Sequence, residues 1–280
     1  MPELAYVNGE FLPIEQARIP IEDRGYQFAD AVYEFIASYN GKLFRLEDHL
    51  DRLERSMQGL AFPALSRSDL RQAIFDLFER AAINRAGIYI QISRGVAPRN
   101  HAFPEAVSPQ VIMTIRPVKE KPPELRKNGA AAITVEDLRW ARCDFKTVQL
   151  IPNVLANQKA VAAGLFDAIF VSPDGIVREA TSSNLFIVAG GRLHTHPLTP
   201  RILPGITRGV VMALCAEMDI AVEERFFKTE ELYDADEVFL TGTVTEVMPI
   251  VEVDGRAIGS GRVGPLTSRL YAALREQAEA

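Results

Sequence analysis

The chain has 280 residues, of which 48% are hydrophobic and 24% charged, an ordinary globular composition able to fill one large domain or two of usual size. Its 31 basic and 37 acidic residues leave a net charge of −6, which excludes a broad basic face for nucleic acid. Two cysteines and four histidines exclude a disulfide framework and a zinc cluster, and suit a reducing, cytoplasmic setting without a metal. The opening residues lack the basic-then-apolar order of a secretory leader, and no apolar run nears the ~18 residues of a membrane span.

Asn8-Gly9 predicts the turn of a hairpin within the first fifteen residues. Val32, Glu34, Ile36 and Ser38 alternate with Tyr33, Phe35, Ala37 and Tyr39, predicting a strand that Asn40-Gly41 turns into Lys42-Leu43-Phe44. Leu46, Leu50, Leu53, Met57 and Leu60 recur at helical spacing. So do Leu70, Ile74, Leu77, Phe78 and Ala81, with Ser66 or Ser68 as the cap. Strands return at Gly87 to Ser93 and Val111 to Ile115. Arg116 to Glu124 then holds three prolines and mixed charge, which resist both helix and sheet. The expected organisation is an N-terminal α/β domain over 1–117, a linker over 118–124 and a C-terminal domain over 125–280.

Beyond that boundary the pattern predicts a strand near Ala130 to Val135 and a helix near Asn153 to Ala163. Strands follow at Ala168 to Val171 and Leu185 to Val188, then a helix opening at Pro204-Gly205-Ile206-Thr207. Strands near Val238 to Leu240 and Met248 to Val253 and a helix from about Pro265 complete the chain. The fold class is mixed α and β, without the regular alternation of a parallel doubly wound sheet.

Four segments carry chemistry. Lys146, one of seven lysines, lies in Arg142-Cys143-Asp144-Phe145-Lys146-Thr147-Val148, and an amine among apolar neighbours can attack a carbonyl; a surface lysine at a strand end is the commoner reading of so short a stretch. Arg94 to His101 is a Gly/Pro loop after a strand, with arginine forks and an imidazole suited to a carboxylate. Arg178 to Asn184 places an acid ahead of small hydroxyl residues, and such an acid can keep a heteroaromatic nitrogen protonated. Gly205-Ile206-Thr207 opens a helix whose free N–H groups suit a phosphate, and Thr241 to Thr245 offers further donors. Each of these patterns also serves as an ordinary loop, turn or cap. His49 falls on the apolar stripe of the first helix and reads as a packed or capping histidine, while Trp140 fits core or cleft wall equally.

Glu22-Asp23-Arg24-Gly25-Tyr26-Gln27-Phe28-Ala29-Asp30-Ala31-Val32-Tyr33-Glu34, His49-Leu50-Asp51-Arg52-Leu53, Arg99-Asn100-His101, Arg142 to Lys146, Glu179 to Asn184 and Gly205 to Arg208 occur in a telling order. With them the chain resembles the fold-type IV pyridoxal-phosphate enzymes, most closely the bacterial D-amino-acid aminotransferases, from about Val7 to the last helix. The resemblance implies a two-domain architecture with pyridoxal 5'-phosphate in the interdomain cleft and a C-terminal cofactor-binding domain. It implies that Lys146 bonds the cofactor and shuttles the proton and that Glu179 pairs with the pyridine nitrogen. Arg52, Ile206, Thr207, Thr243 and Val244 would hold the phosphate. Tyr33, Arg99 and His101 would bind the substrate carboxylate, the latter two reaching across a homodimer.

The implied reaction is ping-pong transfer between a D-amino acid, such as D-alanine, and a 2-oxo acid, such as 2-oxoglutarate. A branched-chain L-amino-acid transaminase and an aminodeoxychorismate lyase share the fold and remain open, as does a non-catalytic cofactor-binding protein. Ala29 and Ala31 stand where the family pattern suggests glycine, and Pro152 where it suggests a small flexible residue. These departures bear on the accepted side chain and on the helix near Asn153.

Overall fold

The computed structural model describes residues 3–280. They divide into two units, residues 3–119 with 145–149, and residues 120–144 with 150–280.

In the first unit, β1 (Leu4–Val7) and β2 (Glu10–Pro13) form the hairpin expected at Asn8-Gly9, both turn residues having positive φ. A short helix α1 (Arg24–Phe28) precedes β3 (Ala31–Tyr39), and β4 (Lys42–Leu43) follows the Asn40-Gly41 turn. The helices are α2 (Leu46–Gly59) and α3 (Arg67–Ala81), and β5 (Ala86–Ser93) and β6 (Gln110–Pro117) complete the unit. Ser66 is the cap of α3, accepting from the Asp69 N–H. Among the described residues the strands make one antiparallel sheet in the order β2-β1-β6-β5-β3-β4. Val32 and Ile36 of β3 and Ile88, Ile90 and Ile92 of β5 point to one face. There they pack with Leu50 and Leu53 of α2 and Ile74 and Leu77 of α3. Each fully buried aliphatic side chain contributes about 1.5–3 kcal/mol, so this face fixes where α2 lies.

The second unit opens with α4 (Pro123–Asn128), so the expected linker ends earlier than the proline count suggests. Pro123 occupies the first helical turn, where its missing N–H costs nothing. The strands are β7 (Ala130–Glu136), β8 (Asp167–Val171), β9 (Val177–Ala180), β10 (Asn184–Ala189), β11 (Arg192–Thr195), β12 (Val222–Glu224), β13 (Glu237–Gly242), β14 (Glu246–Val253) and β15 (Arg256–Ala257). The helices are α5 (Ile151–Ala162), α6 (Ile206–Glu217), α7 (Thr229–Tyr233) and α8 (Pro265–Glu279). The ladder runs β12-β11-β10-β13-β14-β7-β8-β9, and β9 pairs back to β10 through Glu179 and Asn184, closing six of these strands into a ring. Parallel pairs β14–β7 and β7–β8 sit beside antiparallel neighbours. The strands β8, β10 and β13 are buried on nearly every residue, as strands covered on both faces are. Leu185, Ile187, Leu240, Met248 and Ile250 share one core, while Ala156 and Ala160 of α5 cover Ala168 and Phe170.

Candidate active site

Glu34 lies in phase with Val32 and Ile36, so β3 points its carboxylate into the apolar face against α2. His49 and Arg52, one turn apart on the buried stripe of α2, meet it there, and all three side chains are buried. Arg52 donates from Nε to Glu34 Oε1 at 2.7 Å and from Nη2 to Oε2 at 2.7 Å, a bidentate fork. His49 Nδ1 lies 2.7 Å from Oε2. Burial alone would raise the Glu34 pKa, but the charge and hydrogen bonds of Arg52 and His49 outweigh it and bring it down to about 2. The carboxylate is therefore ionised and accepts only, so His49 carries its proton on Nδ1. Burial lowers the pKa of His49 and keeps the ring neutral near pH 7, Glu34 opposing part of the shift.

Lys146 is placed by the same two elements. Its backbone N–H donates to Ser56 Oγ at 3.2 Å, and Ser56 Oγ donates to the Arg52 carbonyl one turn back on α2. Its carbonyl accepts from the Tyr33 N–H at 2.9 Å. The ammonium stands 4.1 Å from the centre of the Tyr33 ring, a cation–π distance. Phe145 fits because Gly59, at the end of α2, has no side chain: a Cβ there would lie 2.2 Å from the ring. Arg99 and His101 lie on the exposed loop after β5. The Phe28 ring, at the end of α1, has the Arg99 guanidinium 4.8 Å and the His101 ring 5.4 Å from its centre.

In the second unit Glu179 lies near the end of β9 opposite Asn184 and is buried. It accepts from Arg139 Nη1, from Asn184 Nδ2 at 2.9 Å and from the Leu203 N–H at 3.1 Å. Arg139 is shared: its Nε and Nη2 donate to the Asp137 carboxylate at 2.9 and 3.0 Å, and Arg178 donates to Asp137 at 2.6 Å. Burial raises the pKa of Glu179 and Arg139 only partly offsets it, whereas at Asp137 the arginine bonds overcome burial and lower the pKa. Gly205 is the N-cap of α6, so no side chain caps the amides of Ile206 and Thr207. A Cβ on Gly205 would meet Asn184 Oδ1 at 2.0 Å. Thr243 and Val244 lie in the turn between β13 and β14.

The structure thus brings Lys146, Tyr33 and Arg52 onto β3, α2 and the segment beside them, and places Arg99 and His101 together on one loop. It sets Glu179, Ile206, Thr207, Thr243 and Val244 at the ends of elements in the second unit. Glu34, Asp137 and Arg139 were not singled out from sequence. A charge in phase with core residues was the available signal for Glu34; nothing local marks Asp137 and Arg139. Among the departures, Ala29 has φ +55°, a left-handed conformation that favours glycine, while Ala31 lies in ordinary strand. Pro152 sits in the first turn of α5, a position it suits.

Residues 31–253 match an enzyme family, Amino-transferase class IV, and the chain belongs to it. It is an aminotransferase. Its relatives include the D-alanine aminotransferase of Bacillus licheniformis, 42% identical across 96% of this chain and 94% of that protein. Another, from Staphylococcus haemolyticus, is 40% identical across 98% and 97%. Similar solved structures include the branched-chain amino acid aminotransferase of Escherichia coli, with TM-score 0.91 and 29% identity over 98% of this chain and 93% of that one. A second branched-chain amino acid aminotransferase, from T.th. and solved with pyridoxamine 5'-phosphate, has TM-score 0.92 and 28% identity over 100% and 95%.

Proposed function

We propose that the chain catalyses pyridoxal 5'-phosphate-dependent amino transfer between a D-amino acid, such as D-alanine, and a 2-oxo acid, such as 2-oxoglutarate, as a homodimer in the cytoplasm. The observation that carries the handedness is the contrast in identity, 42% and 40% with D-alanine aminotransferases against 29% and 28% with the branched-chain enzymes. The free thiols of Cys143 and Cys215 suit a reducing compartment.

The residues fit the cofactor. Glu179 has about four acceptor positions and three protein donors, which leaves one for a ring N–H. Thr241 Oγ1, opposite Asn184 in the ladder, is buried with no partner among the described residues. The uncapped start of α6 suits a phosphate dianion.

When bound, the cofactor supplies an aldehyde for an amine and a protonated ring that takes up an electron pair. Lys146 would hold the group through its side-chain nitrogen, and that nitrogen, when free, would be the base that moves the proton on the substrate Cα. Glu179 keeps the proton on the ring nitrogen, and Asn184 and Leu203 fix the carboxylate's orientation. Arg52, its guanidinium held by Glu34 and Glu34 in turn by His49, would reach the phosphate, and Ile206, Thr207, Thr243 and Val244 would supply further donors. Tyr33, Arg99 and His101 hold the substrate carboxylate, Arg99 and His101 serving the partner subunit's site. Which face of the substrate meets Lys146 follows from where that carboxylate is held.

The test is to mix the purified holoenzyme with D-alanine and, separately, with L-alanine and L-leucine, following the visible spectrum and the oxo acid formed. Conversion with the D form alone is the expected result. Conversion with L-leucine alone would leave Lys146 and the fold in place and transfer the function to the branched-chain reading.

A further inference from the structure

The segment from Glu22 to Glu34 contains a buried arginine that no step above uses. Arg24 is 3% exposed and opens α1. Its Nη1 donates to the carbonyls of Asn100 at 2.6 Å and Ala102 at 3.3 Å, and its Nη2 to the carbonyl of His101 at 3.4 Å. Three consecutive carbonyls of the loop bearing Arg99 and His101 thus turn to one guanidinium.

That guanidinium is itself fixed. Its Nε donates to Asp30 Oδ2 at 2.8 Å. Asp30 also holds Arg94, which donates to Oδ2 at 2.8 Å and to Oδ1 at 3.1 Å and reaches the carbonyls of Leu60 and Ala61 at the end of α2. Asp23 caps α1 at the Gly25 N–H and accepts from Ser93 Oγ. Backbone pairing ties residues 22–24 and 30 to 94–97, through Arg24 to Gly95, Ala97 to Glu22 and Arg94 to Asp30. Further along the loop, at 99–102, the contacts made with α1 come from side chains: Arg24 on the carbonyls and Phe28 against Arg99 and His101. A charged donor held on both sides is a rigid template for a loop that has no regular structure of its own.

We propose that Arg24 is a positioning residue for substrate recognition: through the carbonyls of Asn100, His101 and Ala102 it sets the loop conformation that aims Arg99 and His101 at the substrate carboxylate. The proposal rests on the reading of Arg99 and His101 as carboxylate ligands. Arg24 turns its donors to Asp30 and the loop carbonyls, and it acts through the loop.

The experiment compares Arg24→Met, Arg24→Lys and Arg99→Ala holoenzymes in D-alanine kinetics, cofactor affinity of the apo form, and backbone hydrogen exchange over residues 98–103. Arg24→Met should raise KM about 10- to 100-fold with kcat within about threefold, since a misplacement near 1 Å costs that order. Cofactor affinity should stay within about twofold, and exchange over 98–103 should rise. Arg24→Lys keeps the charge beside Asp30 but loses the fork, and should give intermediate KM and exchange; it carries the test if the methionine variant does not fold. Arg99→Ala should raise KM without faster exchange. Unchanged KM in Arg99→Ala would overturn the carboxylate reading and this proposal with it. Raised KM in Arg99→Ala, with both Arg24 variants at parental KM and exchange, would overturn the positioning role alone.

Discussion

Two buried carboxylates, Glu34 in the first unit and Glu179 in the second, each face an arginine, and the two titrate in opposite directions. Glu34 has Arg52 in a bidentate fork and His49 besides, and its pKa falls to about 2. Glu179 has one N–H of Arg139, while the Nε and Nη2 donors of that guanidinium go to Asp137. Its remaining partners, an amide and a backbone N–H, are neutral, so burial prevails and its pKa rises. Proximity to an arginine therefore does not fix a carboxylate's behaviour; how many of the arginine's donors it commands does. Glu34 is built as a permanent anion that orients Arg52. Glu179 is built as an anion that gains from meeting another proton carrier, which suits the nitrogen partner proposed for it.

The contrast can be broken most sharply by deletion. Glu34→Ala leaves Arg52 buried without its counter-ion and should cost about 3–5 kcal/mol. Glu179→Ala leaves Arg139 on Asp137 and should cost only about 1–3 kcal/mol; equal losses in urea titrations would end the distinction. Activity should invert the order for folded protein, with Glu179→Gln lowering kcat for D-alanine about 100- to 1000-fold, the scale for removing one stabiliser of developing charge. Next in size is Arg139→Met. Without that charge the pKa of Glu179 rises further, so the acidic limb of the kcat–pH profile should move to higher pH and kcat near pH 7 should fall about tenfold. A limb that stays in place would detach Arg139 from Glu179.

A gentler comparison uses pH alone. The depressed pKa of Glu34 contributes stability that is present above its unfolded value of 4.5 and is lost as pH falls toward about 2. The raised pKa of Glu179 has the opposite sign: its contribution is full below 4.5 and is lost as pH rises through the folded value. Urea midpoints should therefore converge between parent and Glu34→Gln as acid is added, and diverge between parent and Glu179→Gln as base is added. The smallest effect expected is from Ala29→Gly, which touches neither carboxylate. Relief of a left-handed alanine, less the entropy glycine adds to the unfolded chain, should raise stability by about 0.5 kcal/mol, measured as a small rise in Tm.

What could be read from the sequence follows its physics. The Asn8-Gly9 and Asn40-Gly41 turns, α2, α3 and the strand Ala31–Tyr39 were legible because a long periodic element repeats its signal several times. The helix α1 was not, since five residues complete little more than one turn; Asp23 and the Ala29 conformation define it instead. Nor was β9, whose four residues show no alternation. His49 was expected to pack or cap, and it packs, but as a hydrogen-bond donor to a core carboxylate. Glu34 was visible as one of four alternating residues, with its partners on a different helix. Arg139, which Asp137 also holds, meets Glu179 across 40 residues of chain, a proximity no local pattern encodes.

The short segment 145–149 belongs to the first unit although its flanks belong to the second. It does more than carry Lys146. Thr147 bridges to Val32, Lys146 accepts from the Tyr33 N–H, and the Val148 N–H donates to Ala31, all on the side of β3 away from β5. The segment that bears Lys146 is thus also an edge guard, covering backbone that would otherwise offer a docking rail to another strand. A fragment ending at residue 119 should be prone to self-association through that bared rail, and a peptide spanning 143–150 should suppress it.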